Sequence, residues 1–263
     1  MESVTALHHF QVENLKIEIY PNGEALGEAA AQDAAEALKQ LGQSSDEFGV
    51  IFATGASQLN TLHTLTGLPG LPWSKIRGFH MDEYIGMARE NRASFRRYLR
   101  ENLSGKVSMK EFSEIDGTAS DIAALCSAYQ AKLRAANPQL CLLGIGENGH
   151  IAFNDPAEAD FVDPVDLKVV QLDEPCRQQQ FAEGWFETFN DVPTSAITVT
   201  IPALFRVPKL ILSVPGTRKA EIVRSILTEP ISTEYPATIM RRHPNATLYL
   251  DAESAAQIQD MFA

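Results

Sequence analysis

This sequence predicts an α/β fold, a single domain with a mostly parallel, doubly wound sheet and helices on both faces. Three observations carry that prediction. Apolar runs of strand character recur, among them Phe48-Gly49-Val50-Ile51-Phe52-Ala53 and Leu140-Cys141-Leu142-Leu143. Helical apolar periods separate several of them, the alternation expected of parallel strands joined by crossover helices. Finally, 263 residues with 44% hydrophobic and 21% charged side chains suffice for one sizeable core.

Taken in order, Leu15-Lys16-Ile17-Glu18-Ile19-Tyr20 alternates apolar and polar residues, as a half-buried strand does. Pro21-Asn22-Gly23 then turns the chain. Leu26, Ala30, Ala34, Leu38 and Leu41 recur at helical spacing, and Gly42 provides a natural stop. A buried strand over residues 48–53 leads into Thr54-Gly55-Ala56-Ser57 and a further helix. More strands are expected at 76–81, 140–145, 167–172, 196–201, 210–214 and 247–250, with helices at 121–136 and 219–227. No repeat, low-complexity tract or compositional break divides the chain. Residues 1–263 therefore read as one Rossmann-like domain.

Residues 155–193 break this rhythm. They hold Pro156, Pro164, Pro175 and Pro193 around a polar centre, Cys176-Arg177-Gln178-Gln179-Gln180. A long irregular segment in a compact domain is either a surface excursion or a functional lid.

The net charge of −12 argues against nucleic acid or an anionic membrane surface as a partner. A small anionic substrate remains compatible, because a few local cations and backbone amides dominate at short range. Cys126, Cys141 and Cys176 follow no CxxC or zinc spacing, so they are expected as free thiols in a reducing compartment. The N-terminus shows no basic and apolar leader pattern, and no stretch approaches the length of a membrane span. These features predict a cytoplasmic protein, and they are compatible with a homo-oligomer.

The most informative string follows a strand: Gly144-Ile145-Gly146-Glu147-Asn148-Gly149-His150-Ile151-Ala152-Phe153-Asn154-Asp155-Pro156. In open α/β sheets, ligands bind where the chain leaves the carboxyl end of a strand. Glycines let the backbone turn sharply there, and a histidine suits proton transfer near neutral pH. The glycines alone serve equally well as a tight turn. They are not a dinucleotide fingerprint, because Asp155-Pro156 rather than an amphipathic helix follows. Thr54-Gly55-Ala56-Ser57, between a strand and a helix, is either an anion cradle or ordinary capping. Asp82 and Glu83 in Phe79-His80-Met81-Asp82-Glu83-Tyr84 would by default be a solvated strand end.

Together these strings resemble the glucosamine-6-phosphate deaminase (isomerase) family, with the 6-phosphogluconolactonases as more distant kin. The resemblance runs from the Thr54 turn to Lys219, with the motifs in the family's order. It implies an aldose–ketose isomerising deaminase that converts an amino-hexose 6-phosphate to the ketose 6-phosphate and ammonia. Asp82 is then the base that moves the C2 proton, and His150 opens the sugar ring with Asp155 as its partner. Asn148 completes the catalytic string. Thr54, Gly55, Ala56, Ser57, Arg177 and Lys219 would hold the phosphate, with Arg177 reaching in from a lid at about 156–193. Arg218 reads as a solvated surface charge. Neither metal nor cofactor is implied, in keeping with the absence of metal-ligand spacing and of a nucleotide fingerprint.

Two departures fall inside the main string. Many members carry Asp where this chain has Asn148, and a neutral amide orients a histidine without stabilising its cation. The family often has Glu where this chain has Asp155, which withdraws the carboxylate by about 1 Å. A third lies just beyond: residues 157–164 are acidic where some bacterial members bind an effector phosphate, so activation by an N-acetylated sugar phosphate is not expected. His8, His9, Trp73, Trp185 and His243 are expected to pack, cap or lie exposed. The alternatives are a deaminase of another hexosamine phosphate such as galactosamine 6-phosphate, a lactonase-like hydrolase, or a non-catalytic sugar-phosphate sensor. Met81-Asp82-Glu83-Tyr84 and Phe153-Asn154-Asp155-Pro156 favour the deaminases over the lactonases.

Overall fold

Strands whose side chains are apolar on both faces must be covered on both, and that requirement organises the molecule. The computed structural model describes residues 4–262. Strands β1 (His8–Val12), β2 (Leu15–Tyr20), β3 (Phe48–Phe52) and β4 (Ile76–His80) are followed by β5 (Asp82–Tyr84), β6 (Glu111–Ser113) and β7 (Pro138–Leu143). The remainder are β8 (Leu167–Gln171), β9 (Ser195–Val199), β10 (Lys209–Val214) and β11 (Ala246–Asp251). An eight-stranded sheet runs in the order β1-β2-β11-β10-β7-β3-β4-β6. Every pairing in it is parallel except β1 with β2.

The helices are α1 (Gly23–Ser44), α2 (Leu59–Gly67), α3 (Phe95–Leu99), α4 (Ile122–Ala136), α5 (Glu174–Ala182), α6 (Ile201–Phe205) and α7 (Ala220–Thr228). Strand pleat divides the core between them. Val50, Phe52, Leu140 and Leu142 face Leu26, Ala30, Leu38 and Leu62 of α1 and α2. Their neighbours Ile51, Cys141 and Leu143 face Tyr129 and Leu133 of α4, Leu204 of α6, and Ile222 and Ile226 of α7. The doubly wound prediction therefore holds. The long α1 starts where Asn22 Oδ1 accepts the Ala25 N–H at 2.9 Å, and it continues two residues past the expected stop at Gly42.

Three expectations need correction. The strands at 167–172 and 196–201 exist, but outside the parallel sheet. They become β8 and β9 of a separate antiparallel sheet ordered β5-β9-β8. The chain reaches this second sheet by leaving the first at Met81, whose carbonyl accepts the Val199 N–H at 2.7 Å. Thr200 then occupies the N-cap position of α6, which begins at Ile201 with a proline in its first turn. Secondly, the segment at 156–193 is not irregular throughout: it contains β8 and α5, the latter capped by Asp173. Thirdly, β1 was not anticipated; His8 and His9 lie on this edge strand, and His8 packs on Phe262 at 4.4 Å between ring centroids. No described helix is long and apolar enough to cross a membrane.

Candidate active site

Five parallel strands deliver their carboxyl ends to one cavity of about 420 Å³. Its walls are the turns after β3 (Ala53–Ser57), β4 (Met81 and Asp82), β7 (Gly144–Gly146 and His150) and β10 (Pro215–Lys219), together with Asp251 at the end of β11. Gln179, Gln180 and Glu183 close it from α5 and the residue after it.

The turn after β3 is held open toward the cavity. Gly55 adopts φ +94°, a conformation that L side chains rarely enter. The Tyr98 hydroxyl donates to the Gly55 carbonyl at 2.8 Å, and the buried Gln58 donates to Ser57 Oγ at 3.1 Å. A short 3₁₀ turn, Ala56–Gln58, then leads into α2. Exposed amides at such a strand-to-helix turn favour an anion.

Lys219 stands across from this turn. It is buried, yet no carboxylate of the described residues lies within ion-pair distance of its ammonium. Desolvation pulls its pKa below the usual lysine value, and the more distant Glu147 and Glu183 offset part of that effect. Its backbone turn is fastened by Asp251, which accepts the Gly216 N–H at 3.0 and 3.1 Å. Arg218, expected as a solvated charge, is more than half exposed but lines the rim, 3.3 Å from Glu147.

Asp82 and Glu83 are adjacent carboxylates with opposite surroundings, because the pleat of β5 points them to different sides. Glu83 turns away to cap α3, accepting from the Ser94 hydroxyl at 2.8 Å and from the Phe95 and Arg96 N–H groups at 3.3 and 3.1 Å. Asp82 faces the cavity, and its Oδ1 has no hydrogen-bond partner. Burial, and then the Glu83 charge, push its carboxyl well above the ordinary range. A buried carboxyl with a free oxygen is prepared to exchange a proton. His80, two residues earlier, is fully buried and pushed down to about 3 by burial and Arg96; its Nε2 accepts the Ile115 N–H. It is therefore a neutral structural histidine.

His150 Nδ1 lies 2.9 Å from Asp155 Oδ1, although the N–H aims off that oxygen. The shorter aspartate side chain thus reaches the ring. Burial would raise the Asp155 carboxyl, but His150 and donors from Asn148 and Cys176 hold it below its ordinary value. Gly146 makes room for the imidazole: a Cβ there would fall 2.2 to 2.4 Å from three ring atoms. Neither Asp155 nor Asn148 lines the cavity; both stand behind His150. Among the described residues, one group collects mixed metal-ligand atoms, His150, Asp155 and Cys176, within 4.8 Å of one another.

Arg177, expected at the phosphate, lies elsewhere in the structure. Its guanidinium points into the loop after α5, donating to the carbonyls of Val192 at 2.9 Å and Phe189 at 3.3 Å and stacking 4.5 Å over the Phe189 ring. It does not line the cavity. Glu183, which no sequence pattern had marked, occupies the wall instead, accepting from Gln179 at 2.9 Å and from Trp185 at 3.2 Å.

The sequence model for "Glucosamine-6-phosphate isomerases/6-phosphogluconolactonase" matches residues 21–249. The chain belongs to this family. Within the glucosamine-6-phosphate isomerase/6-phosphogluconolactonase family, it is 34% identical over 237 residues to a glucosamine-6-phosphate deaminase of Bacillus cereus strain B4264, covering 90% of this chain and 88% of the relative. A second deaminase, from B. cereus strain G9842, is 36% identical over 212 residues, 80% of this chain and 78% of the relative. The solved structure of a monomeric glucosamine-6-phosphate deaminase superposes with a TM-score of 0.84 at 28% identity, covering 92% of this chain and 99% of that one. A 6-phosphogluconolactonase from Thermotoga maritima shares the fold, with a TM-score of 0.74 at 18% identity over 90% of this chain and 99% of that one. The chain is an enzyme of this family, and the resemblance read from its motifs holds.

Proposed function

We propose that this enzyme converts glucosamine 6-phosphate and water to fructose 6-phosphate and ammonia in the cytoplasm. The observation that carries this reading is one cavity with a free buried carboxyl at Asp82, a carboxylate-backed His150, and an unpaired cation at Lys219. The phosphate docks between Lys219 and the amides of Thr54, Gly55, Ala56 and Ser57. His150, with Asp155 behind it, carries the anomeric hydroxyl proton to the ring oxygen, breaking the C1–O5 bond. Asp82 as carboxylate removes the C2 proton while the substrate's ammonium gives a proton to the C1 oxygen, forming an enolamine; Asp82 then returns its proton to C1. The resulting C2 iminium takes up water and expels ammonia as ammonium, leaving the 2-ketose. Each step is a proton transfer or hydration, matched to the residue types present.

The test is incubation with glucosamine 6-phosphate, galactosamine 6-phosphate, N-acetylglucosamine 6-phosphate and 6-phosphogluconolactone, reading ammonia, ketose phosphate and acid. Ammonia and ketose in equal amounts from glucosamine 6-phosphate are expected. Acid from the lactone alone would assign a lactonase, and binding without turnover a sensor.

Two variants probe the anion end. Lys219→Gln should raise KM for the amino-sugar phosphate by about tenfold or more with kcat little changed, the loss of one charged hydrogen bond. Glu183→Gln should lower KM by about threefold, because it removes a negative charge from the wall shared with Lys219. Initial-rate kinetics check both, and a KM that rises in Glu183→Gln would mean that this carboxylate binds the sugar.

A further inference from the structure

Behind His150, a run of polar groups leads away from the cavity into the lid. Asn148 Nδ2 donates to Asp155 Oδ1 at 3.1 Å and to Asp173 Oδ2 at 3.4 Å. The same side chain accepts the His150 backbone N–H on its Oδ1, also at 3.1 Å. Asp173 Oδ1 in turn accepts the Cys176 N–H at 2.7 Å and so caps α5. A primary amide carries two N–H donors on one nitrogen, so it is suited to bridge two carboxylates. A carboxylate at position 148 would instead place three like charges together. Burial and the Asp155 charge already raise the Asp173 carboxyl above its ordinary value.

The geometry at His150 makes this bridge consequential. Nδ1 is at hydrogen-bond length from Asp155 Oδ1, yet the N–H is not aimed at it. A small rotation of the Asp155 carboxylate therefore decides whether the pair is aligned, and Asn148 is one of the groups that sets that rotation.

We propose that Asp173 is a positioning residue for the ring-opening pair: through the Asn148 amide, it holds the Asp155 carboxylate at hydrogen-bond length from His150 and fastens the first turn of α5 to the same pair. Its kinetic consequence rests on the deaminase reading; its structural consequence does not.

Four variants test it. Asp173→Ser keeps a helix cap but is too short to reach Asn148. It should lower kcat about tenfold while KM stays within about twofold, since misalignment affects chemistry and spares the phosphate end. Asn148→Asp should lower kcat further and lower the thermal midpoint by about 4 °C or more, because three carboxylates then meet. Asp173→Asn alone keeps the cap and sets the baseline. The exchange Asn148→Asp/Asp173→Asn returns to two carboxylates and restores an amide donor between positions 148 and 173, though none toward Asp155, so it should recover at least half of the loss in thermal midpoint while kcat stays low. A wild-type kcat in Asp173→Ser, or an exchange no more heat-stable than Asn148→Asp alone, overturns the proposal. If the wild type releases no ammonia from any amino-sugar phosphate, the deaminase reading falls, yet the melting cycle still decides the bridge: recovered stability supports it and additive losses overturn it.

Discussion

Asp82→Asn should lower the rate of ammonia release about a thousandfold and at the same time make the protein more stable at pH 7. The first effect follows from the proposed role of Asp82 as general base, a contribution of that order. The second follows from burial. Desolvation, and then Glu83, hold the Asp82 carboxyl well above its ordinary range in the folded state. The folded protein then binds a proton that the unfolded chain has released, so stability falls as pH rises from the ordinary carboxylate range to the raised folded value. The amide removes that penalty. Its thermal midpoint should exceed wild type by about 2–4 °C at pH 7, and the gain should vanish below about pH 3, where both states of the wild type are protonated. The acid limb of the wild-type kcat profile should lie above the ordinary carboxylate range for the same reason. Near-wild-type ammonia release from Asp82→Asn would remove it as the base.

Gly146→Ala should also be damaging to catalysis, without removing any ionisable group. The added methyl would lie within 2.4 Å of the His150 ring, and the ring has to move. A displacement of this kind costs about a hundredfold in kcat when the moved group transfers a proton. The Thr54 turn and Lys219 are elsewhere in the cavity, so KM should change little. Steady-state kinetics, with circular dichroism to confirm the native fold, check this. A variant with unchanged kcat would show that His150 does not act from its observed position.

What could be read from the chain depended on how strongly local pattern reflects burial. Phe48–Phe52 and Pro138–Leu143 were legible because buried parallel strands have no polar face, and the turns that follow them inherit that clarity. The small sheet was less legible: β5 has three residues, two of them charged, and its partners come from distant segments. Asp82 and Glu83 look alike in sequence. Only the direction of the pleat separates a free carboxyl from a helix cap. In α5, the run Arg177-Gln178-Gln179-Gln180 is polar throughout, so no periodicity reveals which side faces the cavity. Arg177 turned out to face Phe189, whereas Gln179, Gln180 and Glu183 face the site. The acceptor Asp173 carried no signal of its role, because an aspartate before a helix is an ordinary cap.

The two ends of the cavity grow from different sheets. The turns after β3 and β10 belong to the large one, whereas α5 follows β8 of the small one. Substitutions along α5 therefore leave the backbone of the Thr54 and Lys219 turns in place. With those turns in the proposed role of phosphate site, a lineage that begins with one phosphorylated sugar can rewrite the α5 wall and try another on the same footing.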